Sequence, residues 1–244
     1  MLTSNISFKN FKQNKSNSKI KKDLKELLKE NNSVIKSLNK SYKNSYNKKT
    51  INKLKKYLNI KIFGMGGSSL GTAAIYNFLK HKIKKNFYFI DNLQSKLKFS
   101  KIKENYINLI VSKSGNTLET ISNVNIYLKK GDKNLFITEN KENYLSLLAR
   151  KLKAEIIHHN NFIGGRYSVL SEVGMLPAEL MGLDEKKFKQ INNLIKDKKF
   201  INLLTANVSS TLHFLKYKKY NSIILNYDEK SENLFKWYQQ LVAE

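Results

Sequence analysis

The apolar residues of the chain follow two different spacings. Between about residues 18 and 43 they recur at mostly helical intervals in a polar background, which predicts an amphipathic helical arm within residues 1–49. From residue 60 the pattern changes to short apolar runs separated by stretches of helix length. The runs are IKIF at 60–63, NFYFI at 86–90, INLIV at 107–111, NLFI at 134–137 and EIIH at 155–158. Runs of this kind are typical of parallel strands covered on both faces, so residues 50–180 are predicted to form a doubly wound α/β domain.

The pattern changes again beyond Pro177, the only proline. Helical spacing at about 184–197 and 199–217 predicts a helical connection over residues 181–220. The apolar run SIILNY at 222–227 then predicts one more strand, and helical spacing follows over 231–244. We interpret residues 221–244 as the start of a second α/β domain.

The charge of the chain is strongly basic, with a formal value of +26. A balance of this size raises the possibility of a nucleic-acid partner. However, all but two of the 45 basic residues are lysines, and they are spread along the whole chain. Specific readers of nucleic acid favour the rigid fork of arginine, so no nucleic-acid partner is predicted, although a basic binding module remains an alternative.

Several other classes of protein are disfavoured by composition. No run of about 18 apolar residues is present for a membrane span, and the first residues lack the apolar stretch of a signal peptide, so we expect a cytoplasmic protein with no membrane partner. The absence of cysteine excludes disulfides and cysteine-based metal sites.

Eight of the ten glycines lie in three short segments, each after a predicted strand. The first segment is GMGGSSLG at 64–71. Backbone N–H groups at the start of the following helix, with the hydroxyls of Ser68 and Ser69, suit an anion or sugar hydroxyls. A dinucleotide site is the alternative, but Ser69 stands where its fingerprint requires a third glycine.

The second segment, SKSGNTLET at 112–120, follows the run INLIV. Ser112, Ser114 and Thr117 offer hydroxyls around a helix start, and Lys113 adds positive charge, which together favour a phosphate cradle. The alternative is a plain N-cap made by Asn116 or Thr117.

Two further segments contain candidate chemistry. GGRYSVLSEVGMLP at 164–177 places Arg166 after two glycines, and an arginine retained in such a lysine-rich chain indicates that its planar, permanent charge is required. A structural salt bridge is the alternative. In WYQQLVAE at 237–244, Gln240 and Glu244 share one helix face, which either lines a pocket or is simply solvated. The four histidines, including the adjacent His158 and His159, receive no role.

These four segments, in this order, resemble the signatures of the phosphoglucose isomerase family, whose two sugar-isomerase domains share the doubly wound fold. The resemblance implies interconversion of glucose 6-phosphate and fructose 6-phosphate through a cis-enediolate, without a metal or redox cofactor. It implies that Glu244 is the catalytic base and that Arg166 faces the reacting carbons. The substrate-binding residues that it implies are Gly67, Ser68, Ser112, Lys113 (through its backbone), Ser114, Thr117 and Gln240.

The resemblance also has a departure. The family pattern continues beyond its glutamate into Ser-x-Gly-Lys, and a later histidine opens the sugar ring, whereas the sequence ends at Glu244. We therefore expect the 244-residue chain to be incomplete and inactive or nearly so, and the full-length protein to be a homodimer. A non-catalytic sugar-phosphate-binding module with the same fold is the main alternative function.

Overall fold

The structure is a computed structural model, and it describes residues 18–93, 105–219 and 221–243. The chain divides into two compact units. One unit holds the described residues up to Ser41 together with Lys189–Leu225, and the other holds Tyr42–Phe188 with the described residues from Asn226 onward. The helices, numbered along the chain, are α1 (Ser18–Lys29), α2 (Ser33–Ser37), α3 (Lys48–Leu54), α4 (Leu70–Leu79), α5 (Leu118–Tyr127), α6 (Tyr144–Lys151), α7 (Glu172–Leu180), α8 (Ile191–Lys196), α9 (Lys198–Lys216) and α10 (Glu232–Ala243).

A parallel five-stranded sheet forms the centre of the larger unit. Its strands are β1 (Asn59–Phe63), β2 (Asn86–Ile90), β3 (Tyr106–Val111), β4 (Asn134–Glu139) and β5 (Glu155–His159). Their order across the sheet is β2-β1-β3-β4-β5, and every neighbouring pair is parallel. The predicted doubly wound sheet is therefore confirmed, and each of the five apolar runs forms one of its strands.

Helices cover both faces of this sheet because alternate strand residues point to opposite sides. On one side, Ile62 and Leu109 pack in a buried cluster with residues of α3, α4 and α7. On the other side, Phe63 and Ile110 pack with residues of α5 and α6. The central strands are apolar on both faces, which explains why their sequence reads as a continuous apolar run.

The chain leaves β1 and β3 in opposite directions, since β1 leads to β2 at one edge and β3 leads to β4 on the other side. In open parallel sheets, ligands bind where the strand order reverses in this way, beyond the carboxyl ends of the strands. The two strand ends approach closely, because a Cβ atom on Gly64 would lie only 3.0 Å from the carbonyl oxygen of Val111.

Pro177 lies inside α7, where proline ordinarily disrupts a helix because it lacks a backbone N–H. The carbonyl that loses its helical partner is that of Val173, four residues earlier. The hydroxyl of Thr72, on α4, donates to this carbonyl at 3.2 Å in a buried position. Packing of α4 against α7 thus replaces the missing helical hydrogen bond.

The smaller unit is helical. The predicted arm consists of α1 and α2, and a new helix begins at α2 because the side chain of Asn32 accepts a hydrogen bond from the Ile35 N–H at 2.8 Å. The two later helical patterns correspond to α8 and α9, and Asp197 caps α9 by accepting from the N–H groups of Lys199 and Phe200.

The strand predicted at residues 222–227 is wrong, because the structure describes these residues without a strand. Ile223, Leu225 and Tyr227 are 82%, 72% and 93% exposed. An apolar run forms a strand only where a neighbouring strand accepts and donates its backbone hydrogen bonds, and none pairs with this segment in the described part of the chain. The predicted helix after it is confirmed as α10.

Candidate active site

The loop after β3 holds most of the predicted phosphate-binding residues. Ser112 is buried, and its Oγ lies 2.9 Å from Oγ1 of Thr117, so the two hydroxyls form a pair at the start of α5. Thr117 occupies the N-cap position of α5, but its side chain makes no capping hydrogen bond. The first N–H groups of the helix therefore have no side-chain cap, which contradicts the plain N-cap and favours an anion at this position.

The rest of this loop is fixed by neighbouring segments. The carbonyl of Lys113 accepts hydrogen bonds from the N–H of Glu139 at 3.0 Å and from the hydroxyl of Thr138 at 3.2 Å. Gly115 has a φ of +65°, and a Cβ atom there would lie 1.9 Å from Oδ1 of Asn143. Only glycine fits this turn. Ser114 is exposed at the tip of the loop, and its Oγ accepts a hydrogen bond from the N–H of Asn116 at 3.3 Å.

The loop after β1 meets the arginine loop backbone to backbone. A Cβ atom on Gly67 would lie 2.2 Å from the carbonyl carbon of Gly165 and 2.4 Å from the nitrogen of Arg166. The buried hydroxyl of Ser168 lies 2.6 Å from the Gly165 carbonyl oxygen and 3.3 Å from that of Gly67, so it links the two loops. Gly67, Ser68 and Arg166, which the sequence placed in one site, therefore lie on two loops in direct contact.

Helix α10 brings the fourth predicted segment to the same place. The indole Nε1 of Trp237 donates to the carbonyl oxygen of Arg166 at 2.9 Å. Gln240 lies one turn further along α10 and contacts Gly66. A Cβ atom added to Gly66 would lie 2.8 Å from Nε2 of Gln240. Oε1 of Gln240 is buried and accepts no hydrogen bond from the described residues, so it can accept one from a ligand. Glu244, the predicted base, lies outside the described residues.

Sequence reasoning missed a buried polar network next to the arginine loop. His159, at the end of β5, has its Nδ1 3.3 Å from Oε2 of Glu172 and its Nε2 3.1 Å from the carbonyl oxygen of Ile163. The carbonyl of Ile163 can only accept, so Nε2 of His159 is the donor in that hydrogen bond. Glu172 Oε1 also accepts from the hydroxyl of Tyr42 and the N–H of Ser45, each at 3.1 Å.

This network changes the acidity of its members. Burial raises the pKa of Glu172, but hydrogen bonds from His159 and from backbone N–H groups, together with the charge of His159, outweigh it, and the pKa lies below its usual value. Burial and the adjacent Glu172 carboxylate raise the pKa of Tyr42. The period-two pattern of β5 was the available signal, because it places His158 and His159 on opposite faces, and His158 is indeed exposed while His159 is buried.

Comparisons with known proteins show the family of the chain. A family model described as phosphoglucose isomerase matches residues 7–244. The chain belongs to the phosphoglucose isomerase family. It is 32% identical to the glucose-6-phosphate isomerase of Methanocaldococcus jannaschii over 205 residues, which cover 77% of this chain and 50% of the relative. It is also 32% identical to the glucose-6-phosphate isomerase of Borreliella burgdorferi over 220 residues, which cover 78% of this chain and 41% of the relative.

The chain thus spans about half the length of the curated members of the phosphoglucose isomerase family that it matches. A similar fold occurs in the crystal structure of a hypothetical protein from Thermus thermophilus. The TM-score is 0.67 at 20% sequence identity, with 91% of this chain and 58% of that chain covered. Within residues 18–93, 105–219 and 221–243, no helix is long and apolar enough to cross a bilayer.

Proposed function

We propose that this chain supplies the sugar-phosphate-binding half of an isomerase that interconverts glucose 6-phosphate and fructose 6-phosphate. One observation carries the proposal: at the carboxyl end of β1, Gly67 contacts the Gly165–Arg166 peptide and the neighbouring Gly66 contacts Gln240. The loop after the adjacent strand β3 presents two paired hydroxyls at a helix start without a side-chain cap. A phosphate and a polyhydroxylated carbon chain are the ligand parts that these two sets of groups suit.

The phosphate end of the substrate is assigned to the loop after β3. Ser112, Ser114 and Thr117 donate their hydroxyls, and the backbone of Lys113 and the start of α5 add N–H groups. Such an arrangement stabilises a phosphate with donors and a helix dipole, so no bulky cation needs to be buried. The hydroxyls of Ser112 and Thr117 lie 2.9 Å apart in the free protein, so both are already close to the proposed phosphate position. One of their two protons joins the pair, and this proton turns to the phosphate when it binds.

The reacting carbons are assigned to the loops around Arg166. Gly67 and Ser68 contact the sugar through backbone and hydroxyl groups. The buried Oε1 of Gln240 accepts a hydrogen bond from a sugar hydroxyl. The guanidinium of Arg166 stabilises the negative charge that develops on the enediolate oxygens. Glu244 removes the proton from C2 of the open-chain aldose and returns it to C1, while the hydroxyl proton of O2 passes to O1, and reversal of these steps gives the opposite reaction. The proton and the electron pair both remain within substrate and base, so the reaction needs no metal or redox cofactor.

The remaining proposals concern the whole protein. Because the chain spans about half the length of its relatives, we expect the 244-residue polypeptide to bind sugar phosphates but to turn them over slowly. We propose that the full-length protein is a cytoplasmic homodimer and that residues 221–244 belong to a second sugar-isomerase domain.

Calorimetric titration of the chain with inorganic phosphate and with 6-phosphogluconate tests the assignment of the two ends. The second ligand has a carboxylate at the end where the enediolate charge would develop. We expect Ser112→Ala to lower the affinity for both ligands about tenfold. We expect Arg166→Lys to lower only the affinity for 6-phosphogluconate, also about tenfold. Arg150→Lys is the matched control, because Arg150 is exposed and pairs only loosely with Glu142, at 3.6 Å.

Equal affinity of the Arg166→Lys and Arg150→Lys variants for 6-phosphogluconate would contradict the assignment of Arg166. A Glu244→Gln variant addresses the alternative of a non-catalytic binding module. We expect it to keep ligand affinity and to lose any residual exchange of the C2 proton with deuterated water. Unchanged exchange in this variant would contradict the role of Glu244, and binding without any exchange in the unsubstituted full-length protein would favour the binding module.

A further inference from the structure

Trp237 is the only tryptophan of the chain, and its indole ring reaches from α10 to the backbone of the arginine loop. The acceptor of its N–H, at 2.9 Å, is the carbonyl oxygen of Arg166 itself. The half-buried ring thus connects two segments that are far apart in sequence. A partly buried hydrogen bond is stronger than one exposed to water. Loss of the indole donor would leave the Arg166 carbonyl oxygen without its partner, which costs free energy.

The arginine loop has reason to need such an anchor. Gly164 and Gly165 precede Arg166, and glycines leave a backbone free to adopt many conformations. On one side, the Gly165–Arg166 peptide rests on Gly67 with no room for a side chain between them. Within the loop, Ser168 holds the Gly165 carbonyl at 2.6 Å. The carbonyl of Arg166 is the next group along the backbone, and Trp237 binds it from α10.

The same helix face also carries Gln240, three residues after Trp237 and in contact with the loop after β1 at Gly66. One turn of α10 therefore contacts both loops at the candidate site. The indole hydrogen bond fixes how the face that bears Gln240 is placed relative to Arg166. A displacement of about 1 Å in such a group is enough to lower catalysis strongly.

We propose that Trp237 is a positioning residue, which holds the Arg166 backbone through its indole N–H so that the guanidinium meets the reacting end of the sugar phosphate. The inference rests on the proposed function, since it assumes that Arg166 contacts the substrate. Trp237 itself touches no substrate in this account. It acts through the arginine loop and through the placement of Gln240 relative to that loop, and the phosphate end of the site is independent of it.

Trp237→Phe tests the inference because phenylalanine keeps an aromatic ring but has no N–H donor. The matched control is Tyr238→Phe, which removes a hydroxyl from the adjacent, 46% exposed residue of α10. Calorimetric titration is performed on both variants with inorganic phosphate and with 6-phosphogluconate. We expect Trp237→Phe to raise the Kd of 6-phosphogluconate about tenfold and to change the Kd of inorganic phosphate by less than about twofold. We expect Tyr238→Phe to change neither Kd.

A second measurement needs no substitution. Since the chain has one tryptophan, a ¹⁵N-labelled sample gives one indole N–H signal by NMR. We expect this proton to exchange with solvent at least about tenfold more slowly than a free indole. We also expect its chemical shift to move with 6-phosphogluconate and to stay unchanged with inorganic phosphate.

Each result has a definite meaning. A merely structural role would weaken both ligands equally in Trp237→Phe, and this outcome would overturn the inference while leaving the proposed function intact. An indole proton that exchanges as fast as free indole would overturn it as well. If the unsubstituted chain binds neither ligand, the proposed function fails, and the inference that depends on it fails too.

Discussion

The contact between Gly67 and the Gly165–Arg166 peptide gives the sharpest prediction. In Gly67→Ala, the new methyl group would lie 2.2 Å from the Gly165 carbonyl carbon, whereas an ordinary contact begins at 3.4 Å. All the nearest atoms belong to the backbone, so no flexible side chain can move aside. The arginine loop would have to retreat by about 1 Å, which costs about 1–3 kcal/mol in folding free energy.

The same displacement would move Arg166 away from its ligand. We therefore expect Gly67→Ala to lower the free energy of unfolding in urea by about 2 kcal/mol. We also expect it to lower the affinity for 6-phosphogluconate by at least about tenfold in calorimetric titration, with a smaller effect on the affinity for inorganic phosphate. The two assays separate the cost in stability from the loss of geometry.

Gly165→Ala is the matched control, since it adds the same methyl group from the opposite side of the contact. Its Cβ atom would lie 3.9 Å from the Cα of Gly67, which is an ordinary van der Waals distance. We expect a change of less than about 0.5 kcal/mol in unfolding free energy. Equal effects of the two substitutions would refute the reasoning, because the asymmetry of the contact is its only basis.

Three further predictions follow from other parts of the fold. Because the folded-state pKa of Glu172 is depressed, its stabilising contribution is complete above the unfolded pKa of about 4.3 and is lost as pH falls through the lower folded value. Urea unfolding from about pH 6 to about pH 3 should show this loss, and Glu172→Gln should flatten the profile. Thr72→Val should lower the unfolding free energy by about 1–3 kcal/mol, since it removes the donor to the Val173 carbonyl that Pro177 leaves without a helical partner. Thr72→Ser keeps a hydroxyl donor and should retain most of the unfolding free energy that Thr72→Val loses. Gly115→Ala should weaken inorganic phosphate about tenfold or more in calorimetric titration, because its methyl group would overlap Asn143 and distort the phosphate loop, and unchanged affinity would contradict the role of this loop.

The fold was predictable where the pattern of apolar residues has one physical meaning. Runs such as INLIV at 107–111 need cover on both faces, and a parallel sheet between helices provides it. The run at 222–227 has the same local pattern but no neighbouring strand in the described chain, so its exposed residues form no strand. Local pattern does not reveal whether a partner strand is available.

The loops of the candidate site could be identified from the sequence, but the contacts between them could not. Clustered glycines after strands identified the loops of Gly67 and Arg166, because a close backbone approach requires glycine. That these two loops touch each other, and that Trp237 binds the Arg166 carbonyl, depends on tertiary packing between distant segments. The pair of His159 and Glu172 was missed for the same reason, since 13 residues and a loop separate them.

A crystal structure of the chain with bound 6-phosphogluconate tests most directly whether the loops after β1 and β3 and the arginine loop form a single site. The account predicts the phosphate at the start of α5, within hydrogen-bonding distance of the Ser112 and Thr117 hydroxyls, and the carboxylate at the Arg166 guanidinium. A ligand bound elsewhere, or one whose phosphate lies at Arg166 with its other end away from α5, would contradict it.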